Sequence, residues 1–250
     1  MEQNNKIGNY QLEVEPYHVD FTGKLNLGVL GNHLLNCAGY HANERGFGMA
    51  VLNEEDYTWV LSRLAIEIFD MPKRYEKFSV RTWVERVYRL FTDRNFALVD
   101  EAGNKVGYAR SVWAMISMQS RKPADLLQLH NGDIADYVCE EEPCPIAKPS
   151  RVKVTSKEPA SVIHAVFSDI DINGHVNSIR YIEHVLDLFN LDWYAHHAIR
   201  RFEIAYVNES YYGDELQLYC DAVSELDYNV EIRKAGGEVV CRSKVVFVES

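Results

Sequence analysis

The residues of this sequence best suited to catalysis are concentrated in one run, 168–177. Within it Asp171, Asn173 and His175 alternate, which brings a carboxylate, an amide and an imidazole close together along the chain. Ionisable groups in one site shift each other's pKa values, and such a group can deprotonate water near neutral pH. The amide can donate a hydrogen bond to a developing oxyanion. The run is therefore a candidate site for activating water against a carbonyl.

Each residue of the run also has a plainer interpretation. A single histidine is more often a hydrogen-bonded core residue than a catalytic group. Asp171 can simply cap a helix entry, and Asn177 is expected to do so. The catalytic interpretation therefore depends on Asp171, Asn173 and His175 occurring together.

A helix and several strands would have to position this run. Residues 162–167 before it form a short apolar segment typical of a strand. Alternating apolar residues begin at Phe202 and predict antiparallel strands to about Val248, with a turn at Gly236-Gly237. Helical three- and four-residue spacing after the run is shown by Val176, Ile179, Ile182, Val185 and Phe189. The free N–H groups where this helix opens can point at a carbonyl oxygen.

The first half of the chain repeats this order of elements. A helical stretch follows residue 30, and alternating segments follow near 64–68, 78–80 and 106–118. Most of the seven prolines lie between 123 and 159, which indicates a connector. We therefore expect an α+β fold with two domains. The first is 1–149, including the connector, and the second is 150–250, carrying the catalytic residues.

Composition excludes several classes of protein. With 47% hydrophobic and 25% charged residues, the 250-residue chain is typical of a globular protein. Its formal net charge of −11 makes nucleic acid an improbable partner. No segment predicts a signal peptide or a membrane span, so we expect a cytoplasmic location. The five scattered cysteines predict free thiols, and no metal or organic cofactor is implied.

The run 168–177, with Arg180-Tyr181-Ile182 after it, resembles the active-site helix entry of acyl-acyl-carrier-protein (acyl-ACP) thioesterases. Other segments are similar to that family in the same order, namely 46–48, 59–63, 81–84 and 110–115. The resemblance implies a tandem (double) hotdog fold, in which two curved antiparallel sheets each wrap around a long helix.

The resemblance also implies the site residues. The family's catalytic Asp, Asn and His fall on Asp171, Asn173 and His175, and a further carboxylate falls on Glu209. Plant members have a cysteine directly after that carboxylate, where this chain has Ser210. A thiol nucleophile is therefore excluded at this position.

These residues suggest a mechanism in which a carboxylate activates water. Either Glu209 or Asp171 would orient and deprotonate the water, and the choice between them stays open. Asn173 and a helix-terminal N–H would hold the thioester carbonyl. His175 would hydrogen-bond within this network or protonate the leaving thiolate.

The two halves can be aligned to ask whether the first has a site of its own. This alignment places Val29 opposite Asp171, Gly31 opposite Asn173 and Met71 opposite Glu209. Only His33 remains from the set, opposite His175. A half without carboxylates cannot perform the same base catalysis. We therefore expect one active site per chain, with the first half supplying the acyl pocket.

The function implied is hydrolysis of fatty acyl-ACP to free fatty acid and holo-ACP, which ends chain elongation. An acyl-CoA thioesterase on the same scaffold is the first alternative, and an acyl-binding module with a disabled site is the second. Either a monomer or a homodimer is compatible with the sequence. A basic cluster at Lys73, Arg74 and Lys77 is either a solvated face or a docking surface for the acidic carrier protein.

Overall fold

The computed structural model describes residues 6–250, and every side chain among them except those of 129–132. These residues form two compact units. The first comprises the described chain up to Leu64 together with Phe69–Ala147, and the second comprises Ala65–Ile68 and Lys148–Ser250. Each unit combines antiparallel strands with few helices, in agreement with the α+β class that the sequence predicts.

The first unit is a sheet with one long helix. Its strands are β1 (Ile7–Glu13), β2 (Tyr57–Ile68), β3 (Lys77–Val87), β4 (Phe91–Asp100) and β5 (Lys105–Ser117), and its helices are α1 (Leu27–Asn43) and α2 (Met49–Leu52). The order of strands is β1-β3-β4-β5-β2, and the last four residues of β2 group with the second unit. Helix α1 contacts β1 and β3. Short 3-10 segments occur at Pro16–His18, Asn53–Glu55 and Leu129–Tyr137.

The second unit repeats this plan with shorter helices. Its strands are β6 (Ser161–His164), β7 (His197–Tyr206), β8 (Glu215–Ala222), β9 (Asp227–Lys234) and β10 (Val239–Glu249), and its helices are α3 (Ser178–Leu186) and α4 (Leu191–His196). The order of strands is β7-β10-β9-β8-β6, with antiparallel pairing throughout. A 3-10 segment, Phe167–Asp169, precedes the run that the sequence singles out.

Helices α1 and α3 each begin after an asparagine that caps them. The side chain of Asn26 accepts a hydrogen bond from the Gly28 amide, and that of Asn177 accepts one from Ile179, each at 2.8 Å. The capping role expected for Asn177 is thus confirmed. The apolar face of α3 is buried at Ile179, Ile182 and Val185 as the spacing predicts, and Tyr181 is buried as well. Val176 and Phe189, which the same spacing included, lie outside the helix.

The two loops before these helices have the same backbone hydrogen bonds. In the second unit the Asp171 amide donates to the His175 carbonyl at 2.9 Å, and in the first the Asp20 amide donates to Lys24 at 2.9 Å. The next glycine has a positive φ in both loops, 80° at Gly174 and 78° in the first unit. Single β-bridges close the two loops in the same way, Ile170 with Val176 and Val19 with Leu25.

This match corrects the alignment of the halves made from the sequence. The counterpart of Asp171 is Asp20, not Val29, and by the same register Thr22 stands for Asn173 and Lys24 for His175. Val29, Gly31 and His33 all lie within α1. The sequence alignment matched helix to loop because it had no independent measure of where the first helix begins.

The opposing loops are also equivalent, and here the sequence alignment was right. The Val176 amide donates to the Ser210 carbonyl, and the Leu25 amide donates to Pro72, each at 2.8 Å. Met71 is therefore the counterpart of Glu209.

Among the described residues, no helix is long and apolar enough to cross a membrane.

Asn26→Ala should lower the free energy of unfolding by about 1 kcal/mol, because it removes the acceptor for a helix-terminal amide. Urea denaturation followed by circular dichroism measures this change. Asn36→Ala, on the exposed face of the same helix, is the control and should leave stability unchanged or slightly higher. Equal destabilisation by both substitutions would contradict the capping role.

Candidate active site

The candidate site begins in a tight loop, residues 165–177, between β6 and α3. The Gly174 amide donates to the Asp171 carbonyl at 3.0 Å, and the Asp171 side chain accepts from the Asn173 amide at 2.8 Å. A positive φ at Gly174 lets the chain reverse without steric strain, as glycine allows. The loop therefore holds Asp171 and Asn173 on one turn and presents His175 immediately after it.

A second loop, which follows β7, brings Glu209 to the histidine. The backbone bond from Val176 to Ser210 fastens the two loops together. Glu209 Oε1 then lies 3.4 Å from His175 Nδ1, within ion-pair distance. The His175 side chain is 23% exposed and that of Glu209 is 38% exposed, so the pair is open to water while partly shielded from it.

Tyr211 is a member of this cluster that the sequence analysis missed. Its ring stands edge-to-face against His175, with 5.1 Å between ring centroids. Its hydroxyl donates to Glu209 Oε2 at 3.3 Å. Lys234 lies over the Tyr211 ring at 5.4 Å and pairs with Asp214 at 3.3 Å. In the sequence, the available signal for Tyr211 was its position two residues after Glu209. This spacing alone does not show that both side chains contact His175.

Ser210, the residue after Glu209, is fully buried. Its hydroxyl shares a short hydrogen bond with the hydroxyl of Tyr181 on α3, whose pKa is raised by burial. Tyr206 of β7 donates to the Ser178 carbonyl at 2.8 Å, a second link to the start of this helix. The strand, the helix and the loop carrying Glu209 are thus joined by tyrosine hydroxyls.

A buried carboxylate, Asp169, holds the other side of the loop. Its Oδ2 accepts from the Val166 amide at 2.8 Å, and its carbonyl accepts from the Asn177 amide at 2.8 Å. His184 of α3 places Nε2 3.3 Å from Asp169 Oδ1, within ion-pair distance although not in hydrogen-bond geometry. Asp169 therefore anchors both ends of the turn that carries Asp171.

The structure changes one expectation about oxyanion donors. Helix α3 begins at Ser178, so residues 173–177 precede it rather than open it. The amides of Asn173, Gly174, Val176 and Asn177 already donate within the loops. The exposed side-chain amide of Asn173 is thus better placed to meet a substrate carbonyl than most of the nearby backbone.

The equivalent loop of the first unit has a carboxylate but not the rest of the set. The Thr22 hydroxyl donates to Asp20 Oδ1 at 2.6 Å. Lys24 and Met71 occupy the positions of His175 and Glu209. The carboxylate that the sequence alignment missed is thus present, yet it faces neither an imidazole nor a second carboxylate at those positions.

The first unit instead contains a cavity of about 250 Å³. Its walls are largely apolar and aromatic and include Phe47, Trp59, Val84 and Trp113.

Among the described residues, no group of three or more His, Cys, Asp or Glu side chains is arranged to hold a metal ion. All five cysteines are free thiols, as expected.

Comparison with known proteins matches both parts of the chain to one family. A model of the acyl-ACP thioesterase N-terminal domain matches residues 6–129, and a model of the acyl-ACP thioesterase C-terminal domain matches residues 152–249. A chloroplastic oleoyl-acyl carrier protein thioesterase of Coriandrum sativum is 27% identical over 220 residues. That alignment covers 80% of this chain and 58% of the plant protein, so the chain spans less than two thirds of this relative.

Solved structures give the same result. An acyl-ACP thioesterase from Bacteroides thetaiotaomicron is 66% identical, with a TM-score of 0.93 over 99% of this chain and 100% of that one. The 12:0-ACP thioesterase from Umbellularia californica is 17% identical, with a TM-score of 0.85 and 100% coverage of both chains, a likeness that shows the fold alone. These neighbours and the antiparallel sheets fit a hotdog-type fold.

A fluorophosphonate, which labels accessible nucleophilic serines, should not modify Ser210. The side chain is buried and its oxygen is held by Tyr181. Intact-mass measurement followed by peptide mapping checks this, with an active serine hydrolase as the positive control. A stoichiometric adduct on Ser210 would show that the serine is an exposed nucleophile and would contradict the structure.

Proposed function

Because the chain belongs to the acyl-ACP thioesterase family, we propose that it hydrolyses fatty acyl-ACP to free fatty acid and holo-ACP and so terminates chain elongation. The observation that carries this proposal is the pairing of His175 with Glu209 across two loops, beside Asp171 and Asn173. A carboxylate and an imidazole can serve as base and proton carrier, and an amide can stabilise the oxyanion, when water attacks a thioester.

Glu209 is the base in this proposal. Its carboxylate meets His175 and Tyr211, whereas Oδ1 of Asp171 accepts the amide of its own loop. Glu209 takes a proton from water as the water oxygen bonds to the thioester carbon. The Asn173 amide donates to the oxyanion, and Asp171 shapes the turn that presents that amide. When the carbon–sulfur bond breaks, the proton passes through His175 to the leaving thiolate.

One such site per chain follows from this assignment. The first unit has Lys24 and Met71 at the positions of His175 and Glu209, so its Asp20 lacks the partners of a base. We assign the acyl chain to the apolar cavity of the first unit, whose volume and aromatic walls suit an alkyl chain. No metal or organic cofactor takes part in this scheme.

The chain is further proposed to be a tandem hotdog with domains at 1–149 and 150–250. A loop, a capped helix and antiparallel strands recur in the same order in the two units, which supports this fold. The matching hydrogen bonds before α1 and α3 support the same duplication. A cytoplasmic location and a monomeric or homodimeric state complete the proposal.

The carrier protein would dock on the basic cluster Lys73, Arg74 and Lys77. All three side chains are exposed, and no carboxylate of the described residues lies within ion-pair distance of them. Four arginines elsewhere pair with carboxylates instead: Arg81 with Glu142, Arg89 with Asp125, and Arg200 and Arg201 with Glu67. Exposed positive charge on an acidic protein is suited to steering an acidic partner.

Glu209→Gln should lower kcat on acyl-ACP by about 100-fold or more, because it removes the general base while keeping the size of the side chain. Asp171→Asn should cost less, since its role is to shape the turn. Release of free fatty acid, measured for acyl chains on ACP and on coenzyme A, checks both variants. Glu225→Gln, an exposed residue of the same unit, is the control.

Near-normal turnover in Glu209→Gln would reject Glu209 as the base, and near-normal turnover in both variants would reject carboxylate-activated water attack. Preference of the wild-type protein for the coenzyme A thioesters would favour the acyl-CoA thioesterase. Tight acyl binding without release would favour the binding module.

Replacing Lys73, Arg74 and Lys77 together with Glu should raise KM for acyl-ACP several-fold and leave KM for free thioesters unchanged. The matched control replaces the exposed Arg151, Lys153 and Lys157 with Glu, which changes net charge by the same amount. Steady-state kinetics at low and moderate salt measure both. Equal effects of the two triple variants, or equal effects on ACP-bound and free thioesters, would refute docking on this cluster.

A further inference from the structure

The cavity of the first unit is bordered by the helices and by the sheet. Asn43 of α1 and Met49 of α2 are exposed residues of its lining. Among its lining residues in the sheet, Val84 of β3 and Thr92 and Arg94 of β4 are buried. An extended chain that enters beside the exposed residues would end against the buried residues of β4.

Among the described residues that line this cavity, Arg94 is the one ionisable side chain, and it is 5% exposed. Its Nη1 donates to the hydroxyl of Thr82 at 3.1 Å. Within residues 6–250, no carboxylate lies within ion-pair distance of it. Burial, together with repulsion from Arg45, lowers the pKa of Arg94 to about 9. At neutral pH the guanidinium is still protonated.

A second buried group shows the same positive surroundings. Burial, with Arg94 and Arg45 nearby, lowers the pKa of His41 to about 3. His41 therefore stays neutral, although its Nε2 bonds to the Lys6 carbonyl at 3.1 Å. The β4 wall of the cavity thus carries a positive charge whose described partner is a hydroxyl.

An alkyl chain cannot satisfy such a group. A methyl pressed against a buried guanidinium removes whatever water hydrates it and returns no hydrogen bond. The free-energy cost begins only when the chain is long enough to reach Arg94. Shorter chains occupy the apolar part of the cavity without that cost.

We propose that Arg94 sets the upper length limit of the acyl chain by forming a charged end wall of the cavity. The proposal rests on the proposed function and on placement of the acyl chain in this cavity. Arg94 acts as a specificity-determining residue and takes no part in the chemical step. Its charge, rather than its size alone, imposes the limit.

The test compares wild-type protein with Arg94→Met, which has similar length without charge, and Arg94→Lys, which keeps the charge. For saturated acyl-ACPs of increasing length, kcat/KM should fall sharply at one length in the wild type. We expect Arg94→Met to raise kcat/KM at that length and beyond about tenfold relative to the wild-type optimum. Arg94→Lys should keep the wild-type limit.

A substrate with a terminal hydroxyl separates charge from size. Wild-type protein should hydrolyse an ω-hydroxyacyl-ACP better than the alkyl chain of equal heavy-atom length at the limit, because the hydroxyl accepts a hydrogen bond from Arg94. Arg94→Met should lose this preference. An unchanged length profile in folded Arg94→Met, or the same shift in Arg94→Lys, would overturn the proposal.

Two controls keep the outcomes separate. Thermal unfolding verifies that Arg94→Met is folded, and Arg94→Gln replaces it if it is not, with the same expected shift in length. Failure of the wild-type protein to hydrolyse any acyl-ACP would reject the proposed function instead. In that case binding of free fatty acids of graded length to wild type and variant still tests Arg94, and equal length limits in both would overturn the inference.

Discussion

The hydrogen bond from the Val176 amide to the Ser210 carbonyl is the interaction on which the candidate site depends. It fastens the loop before α3 to the loop after β7, so that their neighbours His175 and Glu209 meet. The buried hydroxyl of Ser210 is held by Tyr181, which extends the same connection into the helix. Reactive side chains on loops keep a fixed position only when a rigid scaffold restrains the loops in this way.

The first unit shows that this backbone arrangement does not by itself make a site. The bond from Leu25 to Pro72 repeats the connection between loops, and Asn26 repeats the helix cap. The residues beside that bond are Lys24 and Met71, so no imidazole meets a carboxylate there. The two units share these backbone bonds but differ in the side chains beside them, so the fold alone does not provide the chemistry.

The buried charged side chains of the two units differ in the partners that they have. In the second unit, Glu203 is buried but accepts hydrogen bonds from Ser150 and pairs with Arg201 at 2.7 Å. Asp169 is likewise satisfied by its loop. In the first unit, Arg94 has a hydroxyl partner and lines an apolar cavity. A buried charge without an ionic partner reduces stability, and such groups are found where they serve a function.

Local spacing was sufficient to identify α1, α3 and most of the strands, because burial of one face imposes a period that a sequence displays directly. It did not identify β1, β4 or the short helices α2 and α4. Glu209 was reached only through family resemblance, since nothing near it in the chain marks it. The sequence alignment matched Asp171 to Val29, whereas its structural counterpart is Asp20. The alignment failed because the register of the two loops is set by their hydrogen bonds, which the sequence does not show. Only the tertiary structure showed that Arg94 is buried and lines a cavity, because strand pairing and helix packing decide which distant side chains share a cavity.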